Sequence, residues 1–247
     1  MGNLLGLSRS AAREPEQLFE DPEDAPYLYC MRSPEILDWK NGLSASEIQA
    51  VAREQRSLPC CVIPSLLYLS DHGTARDLPL LSSLGITHVF HVAGKFQTLS
   101  PTVDYASAGI KQVERDAEDE EGYPMLHNHF EAFEAFVRDA RETNEHAKVL
   151  IHCVAGLNRS GVLAAALLMR LTSRPVLSCV STLRRSRGNH ALSNESFQRE
   201  LVEMARRGGT LGDPEGAALR GGGMEGLVRR KERERKAAGA IKRLAGD

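Results

Sequence analysis

The stretch "KVLIHCVAGLNRSGVLAAALLMRL", residues 148–171, decides the fold of this 247-residue chain. Its first five residues form the short apolar run of a buried β-strand. Its last eleven residues are apolar on nearly every side, as expected of a helix in the middle of a domain. A strand that leads through a short loop into a buried helix is typical of the α/β class.

The flanking segments also alternate between strand-like and helix-like patterns. The predicted strands cover residues 62–69, 86–93 and 108–114. The predicted helices cover residues 75–85 and 127–142, and two more open at Ser173 and Ser193. This order predicts an α/β fold in which a central mixed sheet is flanked by helices on both faces.

The chain divides into three predicted regions. Residues 1–57 form an N-terminal extension with a mobile, acidic and Pro-containing leader over 9–27 and one helix over 44–56. Residues 58–208 form the globular domain. Residues 209–247 form a Gly-rich and then basic tail, disordered or transiently helical.

Composition excludes several classes of function. A net charge of −2 argues against a general nucleic-acid binder, and no apolar stretch approaches the roughly 20 residues that span a bilayer. The five cysteines lack the CxxC spacing of a zinc site, and no signal peptide is evident. We therefore expect a reduced cytoplasmic protein that needs no metal and no cofactor.

The loop after the strand has the features of an anion site. A strand-to-helix loop aims backbone N–H groups and the positive end of the helix at one point. Arg159 adds a planar guanidinium that can hold two phosphate oxygens, and Gly156 allows the tight curvature. The predicted substrate-binding residues are Val154, Ala155, Gly156, Leu157, Asn158 and Arg159.

Cys153 would lie at the bottom of this loop, where the N–H dipoles and the guanidinium stabilise its thiolate. A thiolate that faces a bound phosphate is placed for in-line attack, which gives a phosphocysteine. Ser160 would stabilise the cysteine as leaving group, and His152 would orient the loop. The competing interpretation is an inert buried cysteine. The coincidence of strand, glycine, arginine, serine and helix favours the active site.

The sequence His152-Cys153-Val-Ala-Gly156-Leu-Asn-Arg159-Ser160 resembles the signature of cysteine-based protein phosphatases, specifically the dual-specificity family. Segments over roughly residues 58–206 resemble the family in its usual order, among them "LLYLSD", "LGITHVFHVAG" and "RPVLSCVSTLRRSRGNHALSNESFQREL". His91 departs from the family, which commonly has Asn there. The resemblance implies a phosphatase fold with its phosphate-binding loop between a strand and the central helix, and a catalytic domain over 58–208.

The resemblance also implies a general acid, an Asp about thirty residues before the cysteine. Asp119 and Asp116 compete for this role. Asp119 stands 34 residues before Cys153 and 11 before Phe130, close to the spacing of the family, whereas Asp116 would require an inserted turn. The crowding of six acids in residues 114–121 favours a protonated carboxyl near neutral pH. We predict Asp119 as the acid.

The expected substrates are phosphorylated proteins. Nothing resembles the deep phosphotyrosine-recognition loop of tyrosine-only phosphatases, so phosphoserine and phosphothreonine are expected alongside phosphotyrosine. No Lys or Arg stands between Cys153 and Arg159, which counts against polyphosphorylated inositol lipids. Two alternatives stay open. One is a pseudophosphatase that binds phosphoproteins without hydrolysis. The other is an RNA 5′-phosphatase, because Asn158 before Arg159 is similar to those enzymes, although they have Thr where this chain has Ser160.

The two ends of the chain have features of membrane signals, and the competing interpretation is an unmodified N-terminus and a solvated basic tail. "MGNLLGLS" resembles an N-myristoylation signal at Gly2, although Gly6 stands where the pattern has Ser or Thr. One acyl chain binds membranes only marginally, and the basic run over 228–243 would add attraction to anionic lipid. Peripheral membrane attachment and nuclear import are therefore the alternatives to a purely cytoplasmic location. The sequence does not indicate an oligomeric state.

Overall fold

In the computed structural model, the described residues are 23–32, 58–94 and 103–214. They form a five-stranded sheet in the order β1-β2-β5-β3-β4. β1 pairs antiparallel with β2, and the other neighbours pair in parallel, so the predicted mixed sheet is confirmed. The strands are β1 Cys60–Ile63, β2 Leu67–Ser70, β3 His88–Val92, β4 Lys111–Arg115 and β5 Val149–His152.

Seven helices among the described residues surround this sheet. They are α1 Ala25–Arg32, α2 His72–Ala75, α3 Leu78–Leu84, α4 Met125–Thr143, α5 Arg159–Thr172, α6 Val176–Arg187 and α7 Glu195–Arg207. A short 3₁₀ turn covers Ala106–Ala108.

Successive side chains of the central strand serve opposite faces of the sheet. Val149 and Ile151 of β5 pack into the larger core with α4, α5, α6 and α7. Leu150 packs into a smaller core with Ala75 and Leu81, at α2 and α3. Helices thus cover both faces, as the alternation of patterns predicts.

The helix after the loop lies at the centre of the molecule. Every residue of α5 from Arg159 to Met169 is buried, as the uniformly apolar sequence predicts. α4 shows the predicted one-sided pattern, with Phe130, Phe133 and Val137 buried against the sheet and α5. The first residue of α5 is Arg159, so the helix begins two residues before the apolar run at 161 and places this arginine at its positive end.

Three predicted elements differ from the structure. The helix expected to open at Ser173 begins at Val176, because Ser173 ends α5 in the left-handed region at φ 52°. The single strand over 62–69 is wrong: a turn divides it into β1 and β2, with Ser65 in the left-handed region at φ 59°. The last helix opens after Asn194 rather than Ser193, because the Asn194 side chain accepts from the N–H of Phe197 at 3.2 Å.

The prediction of a mobile leader over 9–27 is wrong for residues 25–27, which belong to helix α1. Tyr27, Leu28 and Met31 are buried in the larger core. The Tyr27 hydroxyl donates to the carbonyl of Gly212 at 2.6 Å. The globular domain therefore includes α1 and reaches Gly212, beyond both predicted boundaries, 58 and 208.

A buried arginine ties α1 to the helix layer. Arg184 of α6 donates to the backbone carbonyls of Met31 and Ala191. Burial lowers the pKa of Arg184 to about 10, so it remains charged at neutral pH. Bonds to two carbonyls compensate part of the desolvation of this charge.

Three predictions fall outside the described residues: Gly2, the helix over 44–56 and the basic run over 228–243. Among the described helices, none combines the length and apolarity that a membrane crossing requires. All five cysteines are free thiols.

Candidate active site

The loop over residues 153–158 leaves the carboxyl end of β5 and enters α5. Gly156 lies in the left-handed region at φ 66°. A Cβ atom on Gly156 would lie 2.4 Å from the carbonyl oxygen of Ser70, at the end of β2. Only glycine fits this close approach, so the loop is packed directly onto the neighbouring strand.

Cys153 lies at the base of the loop and is fully buried. Its Sγ accepts from the Gly156 N–H at 3.2 Å and from the Ser160 hydroxyl at 3.2 Å. Both donors stabilise negative charge on the sulfur, and the start of α5 adds its dipole. Both donors are therefore placed to stabilise a sulfur that carries negative charge during a reaction.

Arg187, in the last turn of α6, supports the loop from behind. Its Nε donates to the carbonyl of Gly156 at 3.1 Å, and its Nη2 donates to the carbonyl of Ala155 at 3.2 Å. The same Nη2 donates to Asp71 Oδ2 at 3.0 Å. Because C=O and N–H point in opposite directions across a peptide unit, these bonds turn the following N–H groups toward the inside of the loop.

A second support comes from the turn after β2. The backbone N–H of His72 donates to the carbonyl of Val154 at 3.0 Å. The side chains of Val154 and Ala155 are exposed at the outer edge of the loop. Loop position is therefore fixed through the backbone, whereas these two side chains face solvent.

Arg159 connects the loop to the acidic segment over 114–121. It is 3% exposed, and its Nη1 donates to the carbonyl of Ala117 at 3.1 Å. Its Nε lies 3.8 Å from Asp119 Oδ2. The guanidinium is thus held by a backbone carbonyl at the side of the loop.

Asp119 lies beside the loop and is held by two asparagine side chains. Its Oδ2 accepts from Asn158 Nδ2 at 3.4 Å and its Oδ1 accepts from Asn194 Nδ2 at 3.3 Å. The Asn158 Oδ1 in turn accepts from the N–H of Ser193 at 2.9 Å. The Asp116 side chain is exposed in the same segment. The geometry therefore brings Asp119 to Asn158 and Arg159.

Glu121 fixes the end of the acidic segment to α7. It accepts from the N–H groups of Glu195 and Ser196 at 2.9 and 3.0 Å, and from Arg199 at 3.1 Å. These N–H groups belong to the first turn of α7, where a carboxylate is favourable. Of the six acids in this run, Glu121 acts as a helix anchor, a role that the sequence analysis does not predict.

Three histidines meet at the same edge of the sheet as the loop. The rings of His91 and His152 are stacked, with centroids 4.4 Å apart and planes inclined by 4°. The His72 ring lies 5.9 Å from each of them. Burial lowers the pKa of all three, most strongly that of His152, so the imidazoles are neutral near pH 7. The contact of His152 Nδ1 with the Cys153 carbonyl is long, 3.4 Å.

Sequence reasoning missed Arg187, Asn194 and the grouping of His91 and His152 with His72. The segment "RRSRGNHALSN" contains the first two, but it holds three arginines and two asparagines, and nothing in the sequence shows which of them reach the loop. The histidines are far apart along the chain. Parallel pairing of β3 with β5 places His91 directly beside His152, and only that register brings them together.

Comparison with known sequences finds a matching family and similar proteins. The family model described as "Dual specificity phosphatase, catalytic domain" matches residues 67–207, more than half of the chain. Dual specificity protein phosphatase 13B of Mus musculus is 32% identical over 142 residues, 57% of this chain and 70% of that protein. Dual specificity protein phosphatase 26 of Homo sapiens is 30% identical over 141 residues, 57% of this chain and 64% of that protein.

Solved structures share the fold. The crystal structure of DUSP15 matches with a TM-score of 0.53 at 21% identity, over 67% of this chain and 95% of that one. A human tyrosine phosphatase-like serine/threonine/tyrosine-interacting protein matches with a TM-score of 0.54 at 20% identity, over 62% of this chain and 98% of that one. These likenesses confirm the predicted architecture of a mixed sheet flanked by helices.

Proposed function

The chain belongs to the dual specificity phosphatase family, and on that premise we propose that it dephosphorylates tyrosine, serine and threonine in proteins through a phosphocysteine on Cys153. Residues 67–207 are a protein phosphatase catalytic domain. The proposal assigns the chemical steps and the residues that perform them.

In the first step the Cys153 thiolate attacks the phosphorus atom of the substrate. A P–S bond forms while the bond between phosphorus and the ester oxygen breaks. Asp119 donates its proton to the departing oxygen, which leaves as a neutral hydroxyl. The inward N–H groups of residues 154–159 and the Arg159 guanidinium stabilise the charge on the three equatorial oxygens.

In the second step water attacks the phosphocysteine. Asp119, now ionised, takes the proton from that water, and the P–S bond breaks to release inorganic phosphate. The Ser160 hydroxyl donates to Sγ as the thiolate leaves. The 3.2 Å contact between Ser160 Oγ and Cys153 Sγ supports this role.

The observation that carries the proposal is the environment of Cys153 Sγ. Two hydrogen bonds of 3.2 Å reach a fully buried sulfur at the positive end of a helix. An inert core cysteine needs no such donors. Asp119 is supported as acid because it touches Asn158 and approaches Arg159.

A colorimetric assay with para-nitrophenyl phosphate tests the proposal. The wild-type chain should release phosphate, and Cys153→Ser should abolish release. Cys61→Ser, at an exposed position, is the matched control and should keep full activity. Activity that survives in Cys153→Ser would overturn the mechanism.

A second outcome would identify the binding-only alternative. If neither wild type nor Cys153→Ser hydrolyses any substrate, but both bind phosphopeptides, the domain is a pseudophosphatase. Parallel assays with phosphotyrosine, phosphoserine and phosphothreonine peptides and with a 5′-triphosphorylated RNA define the substrate class. Turnover of the RNA alone would contradict the proposed protein substrates.

A further inference from the structure

We propose that His72, His91 and His152 form a binding site for a divalent transition-metal ion of the zinc type, beside the phosphate-binding loop. One ring nitrogen from each histidine can be chosen so that all three lie within 4.8 Å of one another. Imidazole nitrogen is a common zinc ligand, and three histidines leave a fourth position open.

Each of the three rings has a nitrogen without a hydrogen bond to a described residue. Nε2 of each of the three histidines is buried, with no hydrogen bond to any described residue. His152 is 2% exposed and His91 is 5% exposed. Buried polar atoms are normally hydrogen-bonded or bound to an ion, so these nitrogens are suited to hold one.

Two of the opposite nitrogens, on His91 and His152, show the outer contacts that metal-bound histidines usually make, whereas Nδ1 of His72 has no hydrogen bond to a described residue. His91 Nδ1 lies 3.2 Å from Glu114 Oε1. His152 Nδ1 lies 3.4 Å from the Cys153 carbonyl. Each contact would hold the proton on Nδ1 and leave the Nε2 lone pair for the ion.

Closure around an ion requires the stacked rings to reorient. At about 2.0–2.1 Å from a tetrahedral zinc ion, the ligand nitrogens are about 3.4 Å apart. The parallel rings of His91 and His152 must tilt toward each other, since stacked rings point their lone pairs in parallel. His72, the partly exposed member at the surface turn, provides the entry side.

Charges around the cluster are mixed. The negative charges of Asp71 and Glu114 favour a cation at His72, and the positive charge of Arg76 disfavours one. Arg159 also disfavours positive charge on His91. Glu114 is the carboxylate placed to balance a divalent ion, because Asp71 is already paired with Arg187.

Binding of the ion would affect the position of the nucleophile through the single peptide unit between His152 and Cys153. His152 precedes Cys153 directly, and tilting its ring displaces the chain that carries the thiol. We therefore expect the bound ion to lower phosphatase activity reversibly. This consequence rests on the proposed function, whereas binding of the ion does not.

Cobalt binding tests the site without relying on activity. Chelator-treated Cys153→Ser protein removes the thiolate as a competing ligand and is titrated with Co²⁺. We expect one equivalent to bind, with the visible bands of a tetrahedral or five-coordinate nitrogen site, and Zn²⁺ to displace it. Loss of all binding in Cys153→Ser would show that the ion is held by the thiolate and would overturn the proposal.

Ligand variants made in the Cys153→Ser background locate the ion. His72→Ala should weaken binding by more than about 100-fold, and Glu114→Gln should weaken it by about 10–100-fold through loss of the outer contact. His146→Ala, an 87% exposed histidine on another surface, is the control and should bind as the parent does. Equal affinity in His72→Ala and its parent, with unchanged melting temperatures, would overturn the site.

An activity measurement adds the functional arm. Zn²⁺ should inhibit the wild-type chain at concentrations that leave His72→Ala, compared with its own zinc-free rate, uninhibited. Mg²⁺, which prefers oxygen ligands, should inhibit neither. Cobalt binding without inhibition would retain the site and reject its effect on the loop. An inactive wild type that binds cobalt would reject the proposed function alone.

Discussion

The phosphate-binding loop and the acidic segment meet at Arg159, but they are held in different ways. The loop is fixed by backbone contacts: Gly156 packs on Ser70, and Arg187 binds two of its carbonyls. The acidic segment is held at Asp119 by side-chain amides. On the proposed assignment, this difference lets substrate displace the Asp119 carboxyl from its amide contacts while the loop keeps its backbone contacts.

The largest expected effect separates the two aspartates of the acidic segment. Asp119→Asn should lower kcat on a phosphotyrosine peptide by about 10²–10⁴-fold, because the leaving oxygen loses its proton donor. Asp116→Asn, the isosteric control, should change kcat little. Melting temperature should be nearly unchanged in both. Full activity in Asp119→Asn with a large loss in Asp116→Asn would reverse the assignment.

Gly156→Ala tests the rigid loop. The new Cβ meets the Ser70 carbonyl, so the loop must shift, and a misplacement of about 1 Å costs about 10²-fold in rate. Unlike Asp119→Asn, this variant should also melt at a lower temperature. Gly109→Ala is the matched control, since Gly109 has φ 69° but open space around it. If the two variants behave alike, contact with Ser70 does not position the loop.

Arg187→Met should lower the free energy of unfolding more than it lowers the rate of catalysis. It leaves two loop carbonyls and the Asp71 carboxylate without their donor. Breaking a buried pair costs about 3–5 kcal/mol, and we expect the lower end because Asp71 is partly exposed. Urea denaturation measures the loss. A double variant with Asp71→Asn should recover part of it, and no recovery would reject the ion pair as a loop support.

The smallest effect is expected at the far end of the acidic segment. Glu121→Gln weakens the carboxylate contact with the first turn of α7, where such a charge contributes about 0.3–1 kcal/mol. Urea denaturation at low and high salt should show a small loss that salt reduces. Activity should stay near wild type, because Asn158 and Asn194 still hold Asp119. A loss as large as that of Asp119→Asn would show that the whole segment moves as one body.

Local sequence signals account for most of the fold. The apolar runs over 149–152 and 161–169 predict β5 and α5 because both are buried on all sides. Asp77 and Gly85 mark the ends of α3, and the structure shows the Asp77 side chain accepting from Leu80 N–H at 3.0 Å. The turn between β1 and β2 escapes prediction because Ser65 adopts a left-handed conformation that its residue type rarely signals.

The candidate site is less visible in the sequence. Cys153, Arg159 and Ser160 lie together because one loop carries them, and that spacing can be read directly. Arg187, Asn194 and His91 reach the loop only through tertiary packing and strand register. Helix α1 is similarly hidden, because its acidic neighbours make residues 9–27 resemble a solvated leader while Leu28 and Met31 fill the core.

Rapid-quench analysis of a single turnover tests the central proposal most directly. Phosphorylated substrate is mixed with wild type and with Ser160→Ala, the reaction is stopped, and the peptide that carries Cys153 is analysed by mass spectrometry. The account predicts one phosphoryl group on Cys153, at higher occupancy in Ser160→Ala because the thiolate leaves more slowly. Turnover with no phosphoryl group on Cys153 in either protein, or with one on another residue, would contradict it.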